Sequence, residues 1–279
     1  MSSPPSNPPM DATAGMASPL GVAISVADRE TIAMVREAVR TRRLRLAYQP
    51  VVLSRDPGRI AFHEGLIRVQ EPNGRIIPAK DFIDAVEGQE LGREIDCAAL
   101  EFGLATLARY RDLRISVNMS ARSIGYPRWM WVLKKGLERD ATVGERLILE
   151  ITESSAMLVP ELVLAFMDQV SRKGVAFALD DFGAGYTAIR YFKDFLFDIL
   201  KIDGQFIRNI HSDPDNQALT RALLSIGKHF EMFTVAEGVE TPEEAECLRA
   251  LGFDCQQGFL YGAPTVKPPW ARAEVARAG

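Results

Sequence analysis

From residue 46 to residue 257 the chain alternates between short apolar runs rich in branched residues and longer stretches with helical periodicity. That alternation is the pattern of βα units, whose parallel strands are buried on both faces and therefore read as near-continuous apolar runs. The runs are Leu46–Leu53, Ile60–Val69, Ile115–Met119, Leu147–Ile151, Val175–Leu179, Ile199–Ile202, Phe233–Ala236 and, more weakly, Phe253–Gln256. Helical stretches fall at Ala79–Glu87, Gly92–Tyr110, Arg128–Asp140, Pro160–Lys173, Thr187–Phe195, Asn216–Phe230 and Pro242–Leu251. The first two runs have no helix between them, so one of that pair has to run antiparallel. The spacing predicts an α/β fold, a TIM-like (β/α)8 barrel with an irregular, partly antiparallel first strand.

The 279 residues accommodate one such barrel with little left over, since the fold typically takes roughly 250. Residues 1–19 carry Pro4, Pro5, Pro8 and Pro9 among small and polar residues and read as a disordered leader. Residues 20–45 read as an N-terminal helical segment, with Asp28 as the N-cap of a helix through about Arg43. Residues 46–279 form the barrel domain.

A net charge of −4 and a pI near 5.6 leave no basic surface for polymeric nucleic acid. No run approaches the length and apolarity of a membrane span, and Leu20–Ala27 lacks the basic flank of a secretory signal. Cys97, Cys247 and Cys255 are odd in number and have no zinc spacing, so a reducing cytoplasm is expected.

In a βα barrel the reacting groups gather where the C-terminal ends of the strands converge. Those positions hold Glu64, Asn118, Glu150, Asp180 with Asp181, Lys201, Glu237 and Gln257. Each alone is adequately explained as an ion pair or a strand-end cap. Together they are costly to bury unless paired or metal-bound. Carboxylates and an amide, without Cys or His, are a hard oxygen set suited to Mg2+ or Mn2+. The adjacent Asp180 and Asp181 fit a pair of divalent cations acting on a phosphodiester, with Lys201 holding water or compensating charge.

Other conspicuous residues read as structural. His63 should point away from Glu64 by strand alternation. Trp129, Met130 and Trp131 open a helix and read as core or contact. The acidic string Glu243, Glu244 and Glu246 is accounted for by a helix dipole. Gly183 and Gly185, in LDDFGAGYT, mark a turn that becomes an active-site loop beside two aspartates.

The segments FHEGLIR (62–68), SVNMSARSI (116–124), LILEITES (147–154), ALDDFGAGYT (178–187), LKID (200–203), VAEGVE (235–240) and QGFLYG (257–262) strongly resemble the EAL-domain family of cyclic di-GMP phosphodiesterases. The resemblance implies hydrolysis of cyclic di-GMP to linear pGpG with two divalent cations, and a homodimer. It implies that Glu64, Asn118, Glu150 and Asp180 ligate the first ion, with Asp180, Asp181 and Glu237 around the second. Lys201 and Glu237 would be catalytic, and Gln49, Leu66, Arg68 and Gln257 would contact substrate. Glu153 and Glu240, with Gly183 and Gly185, would anchor the loop Phe182–Thr187. Gly65 replaces the Ala of the name motif, and Thr187 and Ala188 stand where serines are common.

A different class of protein, a receptor that binds the dinucleotide without cleaving it, is disfavoured because no ligand position is missing. No cyclase or sensor segment is legible ahead of Ala47, so control is expected through concentration, dimerisation, metal supply or a separate regulatory protein.

Overall fold

The computed structural model describes residues 19–184 and 193–271. Among these, nine strands form one sheet: β1 Leu44–Leu53, β2 Asp56–Gln70, β3 Ile76–Pro78, β4 Ile115–Asn118, β5 Leu147–Thr152, β6 Ala176–Phe182, β7 Ile199–Ile202, β8 Phe233–Ala236 and β9 Cys255–Gln257. The longer helices are α1 Pro19–Arg40, α2 Glu90–Arg109, α3 Pro127–Arg139, α4 Pro160–Ser171, α5 Pro214–His229 and α6 Pro242–Leu251.

The strand order β1-β9-β8-β7-β6-β5-β4-β2-β3, with β1 also pairing β2, closes eight strands into a barrel and leaves β3 as a short addition on β2. Strands β4 to β9 run parallel to one another, whereas β1 is antiparallel to both of its neighbours. The expected irregular first strand is therefore present. Its cause is the direct β1–β2 connection, too short for the crossover a parallel pair needs.

Several boundaries differ from the sequence reading. Helix α1 begins at Pro19, so Asp28 lies inside it and is not its N-cap. The stretch Ala79–Glu87 breaks into a 3-10 turn, Ala79–Asp81, and a single helical turn, Ile83–Val86. Strand β6 runs on through Asp180 and Asp181 to Phe182. The expected leader, apart from Pro19, lies outside the described residues, as do Gly185 and the first six positions of the expected helix from Thr187.

The main core lies between the strands and the surrounding helices, with Trp129, Phe166 and Phe177 packed edge to face across α3, α4 and β6. A second, small apolar cluster consists of Val51, Phe62, Ile148, Ala178, Ile199, Val235 and Cys255, one residue from each of seven strands. Strand side chains alternate with period two. One side-chain layer further up the barrel, two residues on from the cluster in the parallel strands and two residues back in the antiparallel β1, come Gln49, Glu64, Glu150, Asp180, Lys201, Gln257 and, just past β8, Glu237. One inner layer of the barrel is thus apolar and the next is polar.

On the outside, the antiparallel β1–β2 ribbon is covered by Trp270, whose ring lies 5.3 Å from Tyr48 and 4.5 Å from His63, both edge-on. His63 does point away from Glu64, and burial lowers its pKa to about 4.

Candidate active site

Lys201 is fully buried at the centre of the polar layer. Its Nζ stands 2.8 Å from Glu150 Oε2, 2.7 Å from Glu237 Oε1, 2.8 Å from Asp180 Oδ1 and 3.5 Å from Glu64 Oε2. Asp180 Oδ1 is close to the ammonium but off hydrogen-bond geometry, and it has no other partner. Glu64 is held from two further sides: Asn118 donates to Oε1 at 2.8 Å and Gln257 donates to Oε2 at 2.6 Å. Gln257 also reaches Gln49 Oε1 at 3.2 Å, and Gln49 donates to the Gly262 carbonyl.

Asp180 and Asp181 are neighbours, and regular alternation would send them to opposite faces. The β6–β7 register slips between Leu179 and Phe182, and Asp181 has φ 54°. Such a bulge re-aims a side chain. Oxygens of Asp180, Asp181 and Glu237 consequently come within 4.8 Å of one another, as do those of Glu64, Glu150 and Asp180.

Burial opposes the charge on Glu64, Glu150, Asp181, Glu237 and Lys201, and the local fields decide the outcome. Burial works against the Glu64 carboxylate, but the Lys201 charge and the bonds from Gln257 and Asn118 hold its pKa below the usual range. Burial pushes Glu150 up to about 8, with Glu64 and Asp180 adding repulsion against the pull of Lys201. Asp181 is pushed to about 6 by burial and the Asp180 charge. Glu237 is driven well above the carboxylate range by burial, with Asp180 and Glu64 adding to it. Burial would lower Lys201, yet the surrounding carboxylates hold it well above its ordinary value. Lys201 is therefore an ammonium, a donor rather than a base.

Five carboxylates and one ammonium carry a formal charge of −4 when ionised, which two divalent cations would balance. Among the described residues, Glu150 Oε1, Asp180 Oδ1 and Gln257 Oε1 are buried without a hydrogen-bond partner. Unpartnered buried oxygens in a hard-ligand set are free to coordinate a cation. The residues fit two divalent ions.

The remaining sequence-derived positions divide. Leu66 and Arg68 follow Glu64 on the same face of β2; Leu66 is half-buried, while Arg68 is buried and donates to its neighbour's carbonyl, that of Ile67. Glu153 is buried, and its Oε2 accepts from Gly183 N at 3.1 Å, tying the end of β5 to the loop after β6. Glu240 is exposed, 3.6 Å from Arg208, and only its backbone joins the network.

Glu244 is the acidic residue that matters in the string at the start of α6. It is 2% exposed and accepts from the backbone of Asn209, Glu240 and Thr241. The helix dipole accounts for Glu243 and Glu246 but understates Glu244, whose distinguishing signal was its place at N3 after Thr241.

Sequence reasoning also missed Asp96, Ser123 and Ser155, which join α2, the turn after β4 and the end of β5. Asp96 was detectable as a carboxylate on the stripe with Gly92, Leu100 and Gly103, all buried.

The EAL domain profile matches residues 32–264. Among curated relatives, the bifunctional diguanylate cyclase/cyclic di-GMP phosphodiesterase MucR of Pseudomonas aeruginosa is 34% identical over 235 residues, which is 82% of this chain and 34% of MucR. The cyclic di-GMP phosphodiesterase PdeR of Escherichia coli is 32% identical over 82% of this chain and 35% of its own length. The chain thus spans about a third of the length of these relatives. The solved PaMucR phosphodiesterase in complex with c-di-GMP superposes with a TM-score of 0.73 at 33% identity, covering 85% of this chain and 97% of that one. With the profile spanning the whole barrel and the name motif placing Glu64 among the paired carboxylates, the chain belongs to the EAL domain family.

Proposed function

We propose that this chain is a metal-dependent phosphodiesterase that hydrolyses cyclic di-GMP to linear pGpG. The observation that carries the proposal is the completeness of the rim. Two clusters of three carboxylates, each capable of holding an ion, share Asp180, and Lys201 lies within 2.8 Å of that residue, of Glu150 and of Glu237. The likeness to the PaMucR phosphodiesterase, solved with c-di-GMP, supports the substrate.

Glu64, Asn118, Glu150 and Asp180 would hold one divalent ion, Mg2+ or Mn2+, and Asp180, Asp181 and Glu237 the second. Bound there, such a pair lowers the pKa of water and neutralises charge on a phosphodiester. Lys201 keeps its proton and donates to the attacking water or a phosphate oxygen. Gln257 and Asn118 fix the rotamer of Glu64, so its carboxylate needs little rearrangement to serve as a ligand. Gln49, Leu66 and Arg68 line the approach on β1 and β2, where a planar guanidinium suits a phosphate. A homodimer, control by a separate protein and a cytoplasmic place of action belong to the proposal on the family resemblance alone. None of the described helices is long and apolar enough to cross a membrane.

Purified protein incubated with cyclic di-GMP and Mg2+ or Mn2+, with pGpG followed by chromatography, tests the reading. The unaltered chain should produce pGpG and Glu64→Ala should not. Binding without turnover in metal-replete protein would make it a receptor.

A further inference from the structure

The carboxylate of Asp96 lies outside the metal layer, on the face of α2 that packs against the barrel, and is 9% exposed. A helix needs only apolar atoms on that face, as Ile95, Ala99 and Leu100 supply. Burying a carboxylate there is costly unless its oxygens serve specific donors. They do: Asp96 Oδ2 accepts from Ser120 N at 3.0 Å and from Ser123 Oγ at 2.6 Å. Both donors belong to the turn that follows Asn118 at the end of β4. The same turn is held from the β5 side, where Ser155 Oγ accepts from Ala121 N at 2.8 Å and the Glu150 carbonyl accepts from Met119 N at 2.9 Å. Asn118 in turn donates to Glu64 Oε1.

We propose that Asp96 is a positioning residue for Asn118: by gripping Ser120 and Ser123 from α2 it sets the turn after β4, and so aims the Asn118 amide at Glu64, with which it would hold the first ion. The inference rests on the metal-site reading above. Four successive residues of the turn, Met119 to Arg122, have their backbone N–H groups assigned to Glu150, Asp96, Ser155 and Ser120 in order. The Asp96 bond is the one that comes from outside the barrel rim. Without it the turn is pinned on the β5 side alone and can pivot about Met119, which changes the direction of the Asn118 side chain while leaving the strand paired.

The test is direct Mn2+ binding, read from the electron paramagnetic resonance signal of free Mn2+ without substrate, beside thermal melts of the metal-free proteins. Ser123→Ala removes one of the two bonds and keeps the carboxylate; Asp96→Asn keeps the shape and an acceptor oxygen; Asp96→Ala removes both bonds. Val163→Ala, a buried change on α4, is the control for general destabilisation. Outer-shell changes typically cost roughly 10- to 100-fold in metal affinity. Ser123→Ala is expected to weaken Mn2+ binding about 10-fold. Asp96→Ala should weaken it more, Asp96→Asn should stay closest to the unaltered protein, and Val163→Ala should lower the melting temperature with Mn2+ affinity unchanged. If Ser123→Ala melts lower yet binds Mn2+ as the unaltered chain does, Asp96 is only a structural brace and the proposal fails. If the unaltered chain binds no Mn2+, the metal-site reading itself falls, and the proposal with it. Should Asp96→Ala not fold, Ser123→Ala still decides the matter.

Discussion

Lys201 is surrounded by oxygens of Glu64, Glu150, Asp180 and Glu237. Removing one partner of a buried charge network leaves the others uncompensated, at a cost of about 3 to 5 kcal/mol. Lys201→Met should therefore destabilise the metal-free protein by about 3 kcal/mol in chemical denaturation, and Mn2+ should restore part of the loss. Turnover should fall by at least about 100-fold, the scale for losing a preorganised donor. A variant as stable as the unaltered chain without metal would contradict the charge balance described above.

The same residues set a pH dependence. Glu150 at about 8, Asp181 at about 6 and Glu237 well above its usual range hold protons in the folded chain that the unfolded chain has already released. Their contribution is complete below the unfolded carboxylate pKa and is lost as pH rises through the folded values. Asp96, pushed up to about 7 by burial, adds to the same slope. In EDTA the melting temperature should fall between pH 5 and pH 8. With Mn2+ the gain in melting temperature should grow over that range, because the ions need the deprotonated ligands. A flat profile in EDTA would refute the assignment. Most of these residues are legible in the sequence because a charged residue inside an apolar run is rare and costly. Asp96 is harder to read, because a carboxylate on a long amphipathic helix looks solvated unless its place on the stripe with Gly92, Leu100 and Gly103 is weighed.

Strand β6 owes its function to an irregularity. Its slip in register and the left-handed backbone of Asp181 put two adjacent carboxylates on one rim. The following Gly183 also has a positive φ, 94°, and an added Cβ there would stand 2.7 Å from Phe206 Cε2. Gly183→Ala should cost about 1 to 3 kcal/mol and loosen the bond from Gly183 N to Glu153. Denaturant titration measures the first effect. A drop in turnover larger than the loss of folded protein reports the second. The sequence marks this element by its two aspartates and glycines, but not the bulge, because β6 lengthens through pairing with both β5 and β7. The break of Ala79–Glu87 into two short turns was likewise hidden, since its apolar spacing is helical and the interruption comes from packing.

Across the molecule, closure depends on β1, which runs antiparallel between β2 and β9 and brings Gln49 beside Gln257. A parallel barrel strand would have a helix over its outer face. Here Trp270 does part of that work against Tyr48 and His63. Trp270→Ala should lower stability by about 2 kcal/mol, on the scale of a partly buried aromatic side chain. Turnover at room temperature should stay close to that of the unaltered chain. A loss of turnover without a loss of stability would mean that the C-terminal segment acts on the rim directly.

The period of the apolar runs and the polar residues at their ends determine the barrel, its antiparallel start and most of the rim. These are local properties: strand alternation and the cost of burying charge act on a few residues at a time. Three features needed the folded chain. The bulge that turns Asp181 to the site arises from pairing between β6 and β7. The charge state of Lys201 and its carboxylates depends on groups brought together from five strands. The grip of Asp96 on the turn after β4 joins positions 24 and 27 residues apart. Register, electrostatic coupling and contact between distant segments are set by where neighbours lie in space, and sequence spacing does not encode that position.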